Sequence, residues 1–210
     1  MPTLKDQHFF MVNRIHSAKR EQILEGAATA FLEEGYEKTS MDQIARMAGV
    51  SKNTIYNHFA DKKGLFITLM EAVTAERFNI VFGSVSFQEE PAIVLRQIAE
   101  KLLETVRLDR EYIAFIRLII GESGRFPELA QLFIKALPQK VIQTLTEYLE
   151  HHRELQLENE EATARIFIGS LMGFLITQEV LHGKEIIPLE QEVLINSLVN
   201  LIVSKLPSPS

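Results

Sequence analysis

Apolar residues recur along this chain every three to four positions and almost nowhere every second one, so the pattern predicts helices throughout. Ile23, Ala27, Ala30 and Phe31, at i, i+4, i+7 and i+8, make one stripe on a first helix from Ser17 to Glu34. Ser17 is placed to cap it, and Gly35 to end it in the left-handed conformation. Met41, Ile44, Ala45 and Ala48 repeat the pattern on a second helix, Met41 to Ala48. Ile55 and Phe59, one turn apart, mark the inward face of a third, Lys52 to Phe59. Ser40-x-x-Gln43 has the spacing of a capping box, and Ser51 is placed to cap the third helix. Gly49 offers the positive φ that a tight turn between the two needs, with Val50 filling their angle. This is a helix-turn-helix pattern.

With Ile55 and Phe59 inward, three pairs point out: Lys52 with Tyr56, Asn53 with Asn57, and Thr54 with His58. Asn pairs with adenine or donates to phosphate, Thr meets a thymine methyl, and Tyr and His donate to phosphate oxygens. Tyr56 has an alternative as a core residue, but only Phe59 shares the Ile55 face; His58 has an alternative as a plain helix-end residue. Asp61 is placed to cap a fourth helix, which puts Lys62 and Lys63 at its N-terminus as a phosphate anchor.

Ile23-Leu24-x-x-Ala27-x-x-x-Phe31-x-x-x-Gly35-Tyr36, Thr39-Ser40, Ile44-Ala45, Ala48-Gly49-Val50-Ser51 and Thr54-Ile55-Tyr56-x-His58-Phe59-x-x-Lys62-x-x-Leu65 together resemble the N-terminal domain of the TetR family of bacterial transcriptional regulators. The resemblance implies DNA contacts at Thr39, Ser40, Ser51, Lys52, Asn53, Thr54, Tyr56, Asn57, His58 and Lys62. Of these, Lys52, Asn53 and Asn57 would distinguish operators, and Tyr56, His58 and Lys62 would hold phosphate. Arg117 to Phe133, RLIIGESGRFPELAQLF, resembles the C-terminal domain of the AefR-like subgroup.

The expected fold is all-α: an N-terminal three-helix helix-turn-helix DNA-binding domain followed by a larger helical ligand-binding and dimerisation domain, with about nine helices. Residues 1–16 read as a tail or a DNA-binding arm, 17–63 as the DNA-binding domain and 64–210 as the effector-binding and dimerisation domain. Helix seven is expected from Pro127 to His152 with a kink at Pro138, helix eight from Glu161 to His182, and helix nine from Pro188 to Leu206. The last two are apolar over more than one stripe, more surface than one core accounts for. Ile166, Gly169, Ser170, Gly173 and Thr177 on the former and Leu194, Leu198, Leu201 and Ile202 on the latter are the expected interface of a homodimer, whose two reading helices reach successive major grooves about 34 Å apart. Leu102, Val106, Phe115, Ile119, Phe133, Phe167, Leu171 and Phe174 supply an internal apolar region. A packed core accounts for each of them; the resemblance implies an effector cavity for a small, mainly apolar molecule, coupled to the heads through helix four.

Charge and composition narrow the alternatives. The net charge of −6 is uneven: residues 1–70 carry nine basic and eight acidic side chains, leaving the acidic excess to the remainder. A near-neutral head on an acidic body suits a protein that presents only its head to phosphate. The chain has no cysteine, which removes disulfides, thiolate zinc sites and cysteine nucleophiles. Neither a signal peptide nor a transmembrane run is evident, so a cytoplasmic protein without a membrane partner is expected. No phosphate loop, G-x-S-x-G or HExxH points to an enzyme, and no catalytic residue or cofactor is expected. Glu179-x-x-His182 has the spacing of a di-metal helix and Glu147 with His151 is a second pair one turn apart, but a di-iron bundle needs two E-x-x-H pairs and two further glutamates and only one pair here has that spacing, so no metal is expected. The readings set against a repressor with a double-stranded operator are an activator of the same fold, a helical metal-binding enzyme and a protein-interaction adaptor. For the N-terminal residues, deletion of 2–12 is expected to leave operator affinity unchanged in a gel-shift titration; a loss would identify an arm in the minor groove.

Overall fold

The computed structural model describes residues 18–204, and every regular element among them is helical. The elements are α1 (Ala18–Lys38), α2 (Met41–Met47), α3 (Lys52–Tyr56), α4 (Lys62–Phe82), α5 (Pro91–Leu108), α6 (Arg110–Glu122), α7 (Pro127–Ala136), α8 (Pro138–Glu150), α9 (Glu160–Leu175) and α10 (Gln191–Val203). The all-α architecture is as read from the sequence, with the seventh helix in two pieces. Pro138 disfavours helical backbone at the residue before it, and Leu137 leaves the helical region with φ −128° and ψ −64°. The chain therefore breaks instead of kinking, and Pro138 opens α8, where its missing N–H removes no ladder bond. The helix expected from Glu161 to His182 is α9, which passes into a π-turn, Ile176–Val180, and α10 begins three residues beyond Pro188. Ser17, the 1–16 segment and Leu206 lie outside the described residues.

The chain forms two compact units. One contains the chain up to Glu76 together with Ala114–Ala136; the other contains Arg77–Ile113 and the chain from Leu137 onward. The helices α4 and α6 contribute residues to both.

In the first unit α1 buries Ile23, Leu24, Ala27, Ala30 and Phe31, the predicted stripe. It meets α2 at Gly26, where a Cβ would stand 2.5 Å from the backbone nitrogen of Ala48. Close by, Gln22 Nε2 donates to the Ala48 carbonyl at 2.6 Å, satisfying one of the free carbonyls at the end of α2. Gly35 is a correction to the expected left-handed cap: at φ 81° and ψ 164° it breaks α1, after which the chain makes one further turn through Lys38. Phe31, Tyr36, Phe66, Phe115, Phe126 and Phe133 join α1, α4, α6 and α7 through ring contacts with centroids 4.9 to 6.3 Å apart.

The second unit packs α5, α8, α9 and α10 around Leu95, Ile98, Leu145, Phe167, Leu171 and Ile195. Arg96 on α5 reaches Glu192 on α10 at 2.8 Å. Arg77 on α4 is buried, ion-paired with Asp109 and lying over the Tyr112 ring, so its charge is compensated where water is scarce. Asp109 also accepts the Tyr112 N–H at 2.8 Å, capping α6.

The Gly26 contact sets a test. Alanine at this position gains about 1 kcal/mol of helix propensity, but a methyl group inside van der Waals reach of fixed backbone costs about 1–3 kcal/mol. Gly26→Ala is therefore expected to lower stability, by up to about 2 kcal/mol, read from the midpoint of a urea titration at unchanged slope.

Candidate nucleic-acid interface

The interface is built from caps. Ser40 Oγ accepts the N–H of Gln43 at 3.2 Å, and Gln43 Oε1 accepts the N–H of Ser40 at 2.8 Å, so the capping box forms at α2. Gly49 turns the chain at φ 62°. Ser51 then accepts the N–H of Thr54 at 3.1 Å and shares a hydroxyl hydrogen bond with Thr54 at 2.8 Å. Regular helix in α3 stops at Tyr56, shorter than the predicted span, although His58 and Phe59 still bond to the carbonyl of Ile55. Ile55 and Phe59 are buried, and the Arg20 guanidinium lies 5.2 Å from the Phe59 ring centre.

That burial turns Lys52, Asn53, Tyr56, Asn57 and His58 outward, all exposed, with Tyr56 47% accessible. Thr54 is only half-exposed. Lys52 forms an exposed ion pair with Asp42 at 2.8 Å, and the hydrogen bond to that carboxylate raises its pKa. No local spacing marks Asp42 as this partner, because it stands ten positions away on the neighbouring helix.

Two residues expected to touch DNA do other work in this conformation. Thr39 is 2% accessible, and its hydroxyl donates within the fold, 3.1 Å from the Ala30 carbonyl and 2.7 Å from that of Gly35. The ammonium of Lys62 donates to the carbonyls of Tyr36, Glu37 and Thr39 at 2.8, 3.0 and 3.0 Å and sits 4.6 Å from the Tyr36 ring centre. Burial lowers its pKa. All three of its donors thus have carbonyl acceptors at the end of α1, instead of projecting from the start of α4. Asp61 caps α4 as expected, accepting the N–H of Gly64 at 2.7 Å. Lys63, the neighbour of Lys62, is half-exposed and 3.7 Å from Glu128.

The remaining expected residues fall elsewhere. Leu102, Val106, Phe115, Ile119, Phe167 and Leu171 are buried, whereas Phe133 and Phe174 are half-buried. Phe115, Ile119 and Phe133 belong to the first unit and the other five to the second. On α9, Ile166 is 65% accessible, Gly169 and Gly173 are exposed with nothing within 4 Å of a built Cβ, and Ser170 and Thr177 are half-buried with their hydroxyls on the carbonyls of Ile166 and Gly173. On α10, Leu201 is 73% accessible and Leu194 half-buried, but Leu198 and Ile202 are buried in the unit's own core. Leu198 and Ile202 are corrected accordingly: an apolar helix with two candidate faces turns these two inward. The Glu179 carboxylate of the E-x-x-H pair is 2.6 Å from Lys184, and no group of three or more potential metal ligands occurs among the described residues. No helix among them is long and apolar enough to cross a membrane.

A capped helix-turn-helix that buries one side of α3 and exposes lysine, asparagine, tyrosine and histidine on the other defines a DNA-binding regulator. Residues 23–69 match the family of bacterial regulatory proteins called tetR, and residues 93–204 match the AefR-like transcriptional repressor C-terminal domain. The chain belongs to the TetR family of transcriptional regulators. It is 28% identical to an HTH-type regulator of Bacillus subtilis, YvkB, over 87% of this chain and 94% of that one, and 28% identical to the repressor BepR of Brucella suis over 79% and 82%. The solved structure of the flavonoid-responsive regulator FrrA has a TM-score of 0.76 and 31% identity, covering 91% of this chain and 98% of its own.

The two kinds of residue at the interface separate in stability. Tyr56→Ala, at an exposed position, is expected to change unfolding free energy by less than about 0.5 kcal/mol. Lys62→Ala removes a half-buried ammonium from three carbonyls and is expected to lower it by about 1–2 kcal/mol. Chemical denaturation of the two variants side by side checks both.

Proposed function

We propose that the protein is a homodimeric repressor that holds a palindromic operator and is released from it by a small, mainly apolar effector. The observation that carries the dimer is the exposure of Ile166, Gly169 and Gly173 on α9, with half-buried Ser170 and Thr177 at helical spacing from them, and of Leu201 on α10. Small residues with open space above them admit the close approach of another helix, and apolar side chains this exposed gain by leaving water. Val193 on α10 is also exposed, at 53% accessible. In this reading residues 17–63 bind DNA and 64–210 bind effector and partner. Lys52, Asn53 and Asn57 read base edges, while Tyr56 and His58 donate to phosphate.

The sign of regulation and the effector rest on relatives. BepR is named a repressor, and FrrA is named flavonoid-responsive. The buried Leu102, Val106, Phe167 and Leu171 and the half-buried Phe174 offer apolar surroundings for a molecule of that polarity. By linkage an effector that releases DNA binds the DNA-bound form less tightly, by roughly 5- to 150-fold. A protein serving this function works in the cytoplasm.

The test pairs hydrodynamics with DNA binding. Ile166→Asp combined with Leu201→Glu is expected to keep its helical circular dichroism, to sediment as a 23.9 kDa monomer, and to bind a two-half-site duplex at least ~100-fold more weakly than the unaltered protein. A wild-type chain that sediments as a monomer and still binds that duplex tightly overturns the dimer. Release of DNA by salt, metal or redox change but by no apolar compound overturns the effector.

A further inference from the structure

We infer that Glu122, at the end of α6, is a positioning residue for DNA recognition: its carboxylate and the ammonium of Lys62 clamp the two ends of the single turn that leads from α1 into the helix-turn-helix. The inference rests on the reading of α3 as the DNA-contacting helix.

The turn begins where Gly35 breaks α1. Residues 36–38 restart the helical path with free N–H groups at their amino end, and Glu122 Oε1 accepts those of Tyr36 at 3.0 Å and Glu37 at 3.4 Å. The Lys62 ammonium takes carbonyls of the same corner, so an anion meets the amino end and a cation the carboxyl end, the arrangement that peptide dipoles favour. Gly35 makes room for the anion. A Cβ there would lie 3.1 Å from Glu122 Oε1, and φ 81° is itself unfavourable to other residues. Around this contact Arg125 pairs with Glu37, and the rings of Tyr36 and Phe126 meet at 4.9 Å. The turn hands its position on directly. Thr39 anchors to Gly35 and Ala30, Ser40 caps α2, and Gly49 and Ser51 then set α3.

Charge makes the inference decidable. A carboxylate gains nothing from a phosphate, so removing it should tighten DNA binding if charge alone matters. If Glu122 positions the reading helices, removal weakens binding. The probe is a duplex selected by the wild-type protein from a random-sequence pool, titrated at several salt concentrations with Glu122→Ala, Glu122→Gln and Glu122→Asp. Hydrogen exchange at the Tyr36 and Glu37 amides is followed in the same proteins without DNA.

Glu122→Ala is expected to weaken binding about 5-fold or more, the scale of a lost helix cap, with an unchanged salt slope. Glu122→Gln, which keeps an acceptor oxygen at the same reach, recovers most of it. Glu122→Asp keeps the charge but withdraws it by one methylene, and behaves like the alanine variant. The two amides lose exchange protection in Ala and Asp and keep it in Gln, while circular dichroism stays helical. Binding by Glu122→Ala equal to or tighter than wild type overturns the inference, as do unchanged Tyr36 and Glu37 amides. Should the alanine variant fail to fold, Asp against Gln decides. Failure of the wild-type protein to select any duplex refutes the DNA-binding reading instead, and the exchange measurements then still decide whether the clamp exists.

Discussion

The first unit depends on the burial of Phe66. This ring, 1% accessible on α4, stands edge-on to Phe31 of α1 at 5.0 Å, meets Tyr36 at 4.9 Å, and is stacked with Phe115 of α6 at 6.2 Å. Aromatic pairs of this kind contribute about 0.5–1.5 kcal/mol each beyond the area they bury. Here they also choose the partners. By this core a stretch of α6 and all of α7 share a unit with the helix-turn-helix, although they lie far from it in sequence. Phe133 extends the chain of rings from Phe115, and Phe126 closes it on Tyr36.

Apolar contacts fix which helices meet, and polar and charged groups refine how their ends are held. The caps at Ser40, Ser51 and Asp61 satisfy N–H groups that helices α2, α3 and α4 would otherwise leave bare. Lys62 does the converse for carbonyls. Such groups are modest in energy, about 1 kcal/mol each, yet they decide direction, because each has one geometry in which it is satisfied. Lys52 in the outward set on α3 has only an exposed ion pair, and exposed pairs hold weakly.

Local patterns made the reading helix legible. The capping box, the positive φ of Gly49 and the one-turn spacing of Ile55 and Phe59 are all relations among residues no more than four apart, and the structure repeats them. The break before Pro138 was visible as a kink, and its extent was not, because the steric effect falls on Leu137 and a kink and a break share the same sequence mark. Thr39 and Lys62 read differently because their partners are set by folding: Lys62 finds its carbonyls 23 to 26 residues away, and Glu122 finds Tyr36 at a separation of 86. On α10 the apolar residues run round the helix, so periodicity could not say that Leu198 and Ile202 face inward while Leu201 faces out.

The shortness of α3 limits how much information one copy can extract from DNA. In the proposed reading, five helical residues with Ile55 turned inward leave Lys52, Asn53 and the adjoining Asn57 to meet base edges. Each well-made base contact discriminates by about 1–3 kcal/mol, so one head separates its site from near matches by only a few such steps. A bacterial chromosome offers on the order of 10⁶ or more competing registers. A lone head would spend nearly all its time on the wrong ones. Choosing a single address therefore demands repetition of the same short word, or a bend in the duplex that adds its own sequence preference.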